Sequence, residues 1–279
     1  MVEKAFHNQW GIILGGSSGM GLATAHELAM RGMNLCIIHR DRRKASEIFQ
    51  KEVDCMRDTG VEVLTFNVDA LRAEKRKTII QTLKEQLGEQ GRIKILLHSI
   101  SRGNLKLLAP IPTSAPDSAL KEAFSDNPAY LQLSDFQATL EAMALSLYDW
   151  VFDLFQAEIF DQEARVIGLT SEGSSKAWRS YAAVSVAKAS LEAIARSIAL
   201  EFAPYGITCN ILQPGVTDTP SLRMIPGSKT LLEHTQKRNP KQRLTRAEDV
   251  AKVVYLLCRP EANWINGAII PVDGGESIV

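Results

Sequence analysis

The chain has 279 residues, 45% of them hydrophobic and 23% charged, with 32 Lys and Arg against 32 Asp and Glu. That length supports a substantial buried core, and the composition excludes a disordered or collagenous chain. A net charge of zero removes any overall electrostatic case for nucleic acid. No apolar run approaches the roughly 20 residues a membrane helix needs, and no hydrophobic leader is visible, so a cytoplasmic protein without membrane association is expected. Cys36, Cys55, Cys209 and Cys258 are scattered without Cys-x-x-Cys spacing and read as reduced core thiols. No cluster of His, Cys and carboxylates has metal-ligand spacing, so no metal is expected.

Apolar runs alternate with helix-length amphipathic stretches. Trp10–Leu14 reads as a strand and Gly19–Arg31 as a helix, followed by strand Leu35–Ile38 and a charged helix Arg42–Asp58. Val61–Phe66, helix Ala73–Leu87 and strand Ile93–Leu97 continue the rhythm. Ala164–Leu169, Thr208–Leu212 and Ala268–Val272 are three more strands, the first two separated by a helix carrying Tyr181 and Lys188. This alternation predicts one α/β domain over 1–279, a doubly wound, Rossmann-like parallel sheet of about seven strands covered on both faces. Two stretches interrupt it. Residues 103–134, broken by Pro110, Pro112, Pro116 and Pro128, read as an insertion at the site or a surface excursion. Residues 217–243 read as a substrate lid, after which Thr245-x-x-Glu248 resembles a capping box opening a helix to Cys258.

Where the first strand meets the first helix stands Gly15-Gly16-Ser17-Ser18-Gly19-Met20-Gly21. Glycines there permit a tight turn and a close approach of pyrophosphate, and the helix N-terminus offers unpaired N–H groups to phosphates. The spacing Gly-x-x-x-Gly-x-Gly differs from the commoner Gly-x-Gly-x-x-Gly of dinucleotide folds. At the end of the second strand, His39-Arg40-Asp41 falls where such a fold meets the adenosine ribose. A cation there favours a 2′-phosphate over a free hydroxyl, so NADPH is expected ahead of NADH.

Tyr181 and Lys188 lie seven residues apart. On a helix, seven steps bring two side chains nearly back in line, two turns apart. Four residues before Lys188 stands Val184, which has no proton to donate. The combination of the glycine turn, Asn67-Val68-Asp69, the Tyr181/Lys188 pair, Gln213-Pro214-Gly215-Val216-Thr217-Asp218-Thr219 and Asp273-Gly274-Gly275 resembles the short-chain dehydrogenase/reductase family along nearly the whole chain. His98-Ser99-Ile100-Ser101 in place of Asn-Asn-Ala-Gly, Val184 in place of the usual Tyr, and no Asn in Leu140–Tyr148 narrow the resemblance. They look like the enoyl-acyl-carrier-protein reductases of the superfamily, with their Tyr-x6-Lys signature. Ser171, ten before Tyr181, matches the NADPH-dependent subtype.

The resemblance implies catalytic roles for Tyr181, Lys188 and Ser171. It implies cofactor contacts from Gly15, Ser17, Ser18, Gly19, Met20, Gly21, His39, Arg40, Asn67, Val68, Asp69, Ser99, Ile100, Lys188, Pro214, Gly215, Val216, Thr217 and Thr219. It implies a homotetramer and an acyl thioester substrate on acyl carrier protein. In the expected reaction NADPH delivers hydride to C3 of a 2-enoyl thioester while Tyr181 stabilises the enolate and Lys188 favours the phenolate. A phenol moved along the helix by about one turn, roughly 5 Å, suits the longer reach of conjugate reduction. Alternatives are a carbonyl or alcohol oxidoreductase such as a 3-ketoacyl reductase, and a non-catalytic NADP(H)-binding regulator. The run Lys237–Arg246 reads as a solvated basic face, with docking of an acidic carrier as the second reading. Tyr148 reads as core, and His98 as a structural residue of the cofactor floor.

Overall fold

Side chains alternate across a strand, and here both directions are apolar. Ile12 and Leu14 point to one buried cluster and Ile13 to the other; Cys36 and Ile38 oppose Leu35 and Ile37 in the same way. Such strands must be covered on both faces. The structure is a computed structural model and describes residues 4–88, 90–112, 130–225 and 227–279. Among these, β1 (Gln9–Leu14), β2 (Asn34–His39), β3 (Val63–Asn67), β4 (Arg92–His98), β5 (Phe160–Leu169), β6 (Thr208–Pro214) and β7 (Ile269–Val272) form one sheet in the order β3-β2-β1-β4-β5-β6-β7. Every pairing is parallel. The result is the expected doubly wound, single-domain α/β fold.

One face carries α1 (Gly19–Met30), α2 (Arg43–Arg57) and α9 (Ala247–Cys258), through Leu28, Val53 and Val254. The other carries α3 (Ala73–Leu87), α5 (Ser146–Gln156) and α6 (Ala182–Glu201), through Leu83, Trp150 and Leu191. The chain order reverses between β1 and β4, leaving a crevice at the carboxyl ends of the strands, where ligands of such sheets bind.

Several boundaries differ from expectation. β5 starts at Phe160, four residues early: Phe160 pairs with Ile93, and the ladder shifts register before resuming at Arg165 opposite Ile95, so Asp161-Gln-Glu163 forms an irregular stretch. β3 starts at Val63 rather than Val61. The capping box is displaced: the Asp249 carboxylate, not Glu248, accepts the Arg246 N–H at 2.9 Å, while Arg243 holds the same carboxylate from outside. Cys55 is exposed, although Cys36, Cys209 and Cys258 are buried. Tyr148 is half-exposed and stacks on Phe152 rather than entering the core.

Most of the expected 103–134 insertion, residues 113–129, lies outside the described residues. Its two ends are fastened together: Leu107 and Tyr130 form an isolated parallel bridge, and α4 (Leu133–Leu140) begins inside the expected bounds. Asn104 donates its backbone N–H to Thr139 at 3.1 Å, and Lys106 pairs with both oxygens of Asp135 at 2.9 Å. Between α4 and α5 the helix widens into a π-turn over Glu141–Leu145, where an Asn was expected to be missing. Such single turns are frequent at functional sites. The lid region folds as a short α7 (Pro220–Arg223) and α8 (Ser228–Arg238).

Candidate active site

The glycine turn bends the chain from β1 into α1. Gly15 has φ +81°, and a Cβ there would lie 2.6 Å from the Ser99 carbonyl, so the turn needs glycine on two counts. Gly21 faces inward: an added Cβ would collide with the Gly15 carbonyl, making it a packing residue that brings helix against turn rather than a lining residue. Ser17, Ser18, Gly19 and Met20 line a cleft of about 440 Å³ running along the strand ends. Its far wall is His39, Arg40 and Asp41; its floor is Val68, Asp69, Ser99 and Ile100; Lys188 and Tyr181 close the near end.

At the adenosine end the polar contacts are mostly internal. The Asp41 carboxylate lies 2.8 Å from His39 Nδ1. Asn67 accepts the Asp41 N–H at 2.9 Å and donates to the Asp41 carbonyl at 3.1 Å, so it shapes the loop and does not line the cleft. Arg40 meets Asp69 at 3.1 Å with its guanidinium half-exposed. His98 does not reach the cleft either. It is fully buried, its Nε2 is 2.8 Å from Ser146 Oγ, and burial, aided by nearby Lys188, pushes its pKa down to about 3. Ser146 in turn donates to the Ala142 carbonyl inside the π-turn.

Beside the cleft lies a second compartment of about 330 Å³. Leu105, Met143, Trp178, Val184, Leu222 and Ile225 make its walls apolar, while Pro214, Gly215, Val216 and Thr217 form one side and Thr219 borders both spaces. Tyr181 and Ser171 also border both. The Tyr181 Oη is 3.3 Å from Ser171 Oγ. Ser171 stands just past β5, so the end of a central strand and the start of α6 bring the two hydroxyls together.

The approach of the phenol differs from the in-line helical picture. Tyr181 is the residue before α6, with φ −106° and ψ 0°, and only its carbonyl, accepting the Ser185 N–H at 2.8 Å, belongs to the helix. Ser180 before it has φ +58°, an uncommon left-handed conformation for serine, and it is buried. This turn aims the ring into the site; nothing in the local residue pattern, which lacks Gly or Asn, signals it. The expected coupling of amine and phenol is also different. Lys188 donates to the Leu169 carbonyl at 2.6 Å, not to the phenol. Burial lowers the Lys188 ammonium to about 8, with Glu192 opposing. Burial raises the Tyr181 phenol above its ordinary value, with the Ser171 hydrogen bond opposing. The phenol is therefore a neutral hydrogen-bond donor at neutral pH.

Val184 fills the slot four before Lys188 and packs tightly on the backbone of Gly103, where an added Cβ would lie 2.6 Å from its Cγ2. At the lid, Glu276 accepts the Val216 N–H at 3.1 Å and faces Arg238 at 3.5 Å; burial raises its pKa despite both. Arg238 also approaches Glu172 at 3.9 Å.

The residues present fit a dinucleotide. Small residues, Gly15, Ser17, Ser18 and Gly19, leave room for a diphosphate beside the N-terminus of α1, a buried ammonium sits at the opposite end, and cationic Arg40 stands at the adenosine side. Among the described residues, no group of three or more His, Cys, Asp or Glu is placed to hold a metal, and no helix is long and apolar enough to cross a membrane.

The comparisons agree with this architecture. A 1-cyclohexenylcarbonyl-CoA reductase of Streptomyces collinus is 27% identical over 280 residues, covering 99% of this chain and 90% of its own. A tropinone reductase homolog of Arabidopsis thaliana is 26% identical over 270 residues, covering 96% and 90%. The fold superposes on the enoyl-[acyl-carrier-protein] reductase (NADH) of Aquifex aeolicus VF5 with a TM-score of 0.79 at 21% identity, covering 97% of each chain. The family model described as Enoyl-(Acyl carrier protein) reductase matches residues 15–277, and the chain belongs to that family of short-chain dehydrogenase/reductase oxidoreductases, which use NAD(P)H.

Proposed function

We propose that the protein reduces the C2–C3 double bond of a 2-enoyl thioester with NADPH. The observation that carries this reading is the position of the Tyr181 phenol, which borders the dinucleotide cleft and the apolar compartment at once, with no hydroxyl at Val184. The reduced nicotinamide supplies hydride when bound. Tyr181 donates a hydrogen bond to the thioester oxygen, where negative charge develops during conjugate addition to C3. Ser171, 3.3 Å away, holds the phenol and shares that oxygen. Leu105, Trp178 and Ile225 keep water from the acyl chain. Lys188, fixed on the Leu169 carbonyl, holds the nicotinamide ribose side of the cleft. C2 then takes a proton to complete the saturated thioester.

The likeness to a reductase named for a cyclohexenylcarbonyl thioester supports an enoyl thioester as substrate class. Arg40 at the end of β2, beside an Asp41 engaged by His39, supports a 2′-phosphate on the dinucleotide. A carrier protein fits less simply than the sequence suggests. Arg238 and Arg243 are committed to carboxylates, which leaves Lys237, Lys241 and Arg246 exposed as the basic face for an acyl carrier protein. Exposed Leu145, Tyr148 and Phe152 on the π-turn and α5 offer an apolar face for assembly into a homotetramer. A cytoplasmic place in fatty-acid synthesis completes the proposal. Carbonyl reduction is the second reading. The convergence of two hydroxyls on one point suits a ketone oxygen, and the tropinone reductase homolog supports it.

The deciding experiment follows NADPH consumption by purified protein with crotonyl and acetoacetyl thioesters side by side. Turnover of crotonyl with little of acetoacetyl is expected. The reverse preference replaces enoyl with carbonyl reduction, and tight NADPH binding with no oxidation of either makes the chain a binding protein.

A further inference from the structure

The charges around the two compartments are unevenly placed. Among the described residues that line them, the cations are Arg40, Arg102 and Lys188. Lys188 is committed to the Leu169 carbonyl. The other two share a single carboxylate oxygen: Asp69 Oδ2 lies 3.1 Å from Arg40 and 3.5 Å from Arg102, while Asp69 Oδ1 accepts the Leu71 N–H. Two guanidiniums against one carboxylate leave one excess positive charge at this contact, while the other carboxylate lining the cleft, Asp41, is engaged by His39. Arg102 holds the weaker share. Its contact is longer than a good charge-assisted hydrogen bond, and its side chain is 53% exposed.

The place of Arg102 gives that charge a use. It follows β4 in the loop tied down through Asn104 and Lys106, and it borders both the dinucleotide cleft and the apolar compartment. The apolar compartment is also lined by Glu172, Asp273 and Glu276, of which Glu172 is paired by Lys176 and Arg238 and Glu276 by Arg238. An anionic group that reaches the junction meets a shared carboxylate at Arg102 and paired carboxylates elsewhere in the compartment, so Arg102 is the cation that can receive it. A guanidinium with a weakly held partner exchanges it readily for a phosphate, which offers more charge and a forked set of acceptors.

We propose that Arg102 is a phosphate-binding residue at the junction of the two compartments, leaving Asp69 to Arg40 when a phosphate arrives. A phosphate reaches that point in two ways: on the dinucleotide in the cleft, or on the carrier arm of a thioester whose acyl group enters the apolar compartment. Only the second source rests on the thioester reading.

The test compares wild type with Arg102→Gln and Arg102→Lys by calorimetric titration, which needs no turnover. The first arm titrates NADPH into ligand-free protein. The second titrates coenzyme A, then phosphate-free pantetheine, into protein loaded with oxidised dinucleotide. Loss of one charge-assisted contact is expected to weaken one arm about tenfold in Arg102→Gln, with a smaller loss in Arg102→Lys and an effect that shrinks as salt is raised. A change confined to the first arm assigns the dinucleotide phosphate. A change for coenzyme A but not for pantetheine assigns the carrier arm. Unchanged affinities within about twofold in both arms, or equal losses for coenzyme A and pantetheine with NADPH unchanged, overturn the proposal. Because Arg102 is half-exposed, Tm should not move, and a falling Tm together with uniform losses also counts against a phosphate contact. Absence of crotonyl turnover in wild type removes the enoyl reading but leaves these titrations intact.

Discussion

The dinucleotide cleft and the apolar compartment meet at Tyr181 but are built from different materials. The cleft is made of strand ends and the backbone of the turns that leave them, and its polar side chains are held by one another: His39 on Asp41, Asn67 on Asp41, Arg40 on Asp69. The compartment is made of side chains from the π-turn, α6 and α7, and its loop and lid are fastened by ion pairs at its rim. A surface of backbone and short polar loops suits a ligand that does not change from one relative to the next. A surface of side chains can change its shape by substitution without disturbing the sheet.

The sharpest way to separate the two is Tyr181→Phe. The ring keeps its packing in both spaces and loses only the donor, so turnover should fall by about 10²–10⁴-fold while NADPH affinity stays within about twofold. Wild-type rates in that variant would remove the phenol from the chemistry. Lys188→Met comes next and should act on the cleft first, weakening NADPH and turnover together by roughly tenfold or more. In wild type, Lys188 is charged below about pH 8 and neutral above it, so kcat/KM should decline as pH rises through 8, and this decline should vanish in the variant. The same lowered value acts on stability in the other direction. Between pH 10.5 and about 8 the unfolded chain takes up the proton more readily, so the contribution of Lys188 to stability is greatest above 10.5 and falls as pH drops through that window. A profile for kcat/KM identical in both proteins would place its basic limb elsewhere. Arg40→Ala should have the smallest effect, reducing the preference for NADPH over NADH by about tenfold and leaving the KM for the thioester unchanged. Unaltered discrimination would move the 2′-phosphate contact to another residue.

Much of the scaffold was readable from residue order because it depends on short-range patterns. The strand runs, the helices between them and the glycine turn all follow from periodicity and from the few residues able to make a tight turn before α1. The resemblance placed Ser171 ten residues before Tyr181 with a catalytic role, and the fold sets their hydroxyls 3.3 Å apart. Three features were not readable. The left-handed Ser180 carries no marker residue, because serine adopts that conformation only when its surroundings impose it. The π-turn inserts its extra residue where Ser146 and His98 brace the Ala142 carbonyl, a contact between positions 48 residues apart. Nothing in the sequence sets Arg102 apart from other loop cations; only the fold places it with Arg40 on Asp69.

From the amino-acid order alone came the parallel α/β sheet, the glycine turn between β1 and α1 and the candidate phenol and amine, since each depends on local spacing or on residue chemistry. Tertiary structure alone decided that the amine serves a carbonyl rather than the phenol, and that burial keeps the phenol protonated. It also decided that Asn67 and His98 support the cleft from behind. The reason is physical: hydrogen-bond partners and desolvation are set by atoms brought together from distant segments, and no spacing along a chain reports how much water remains around a group after folding.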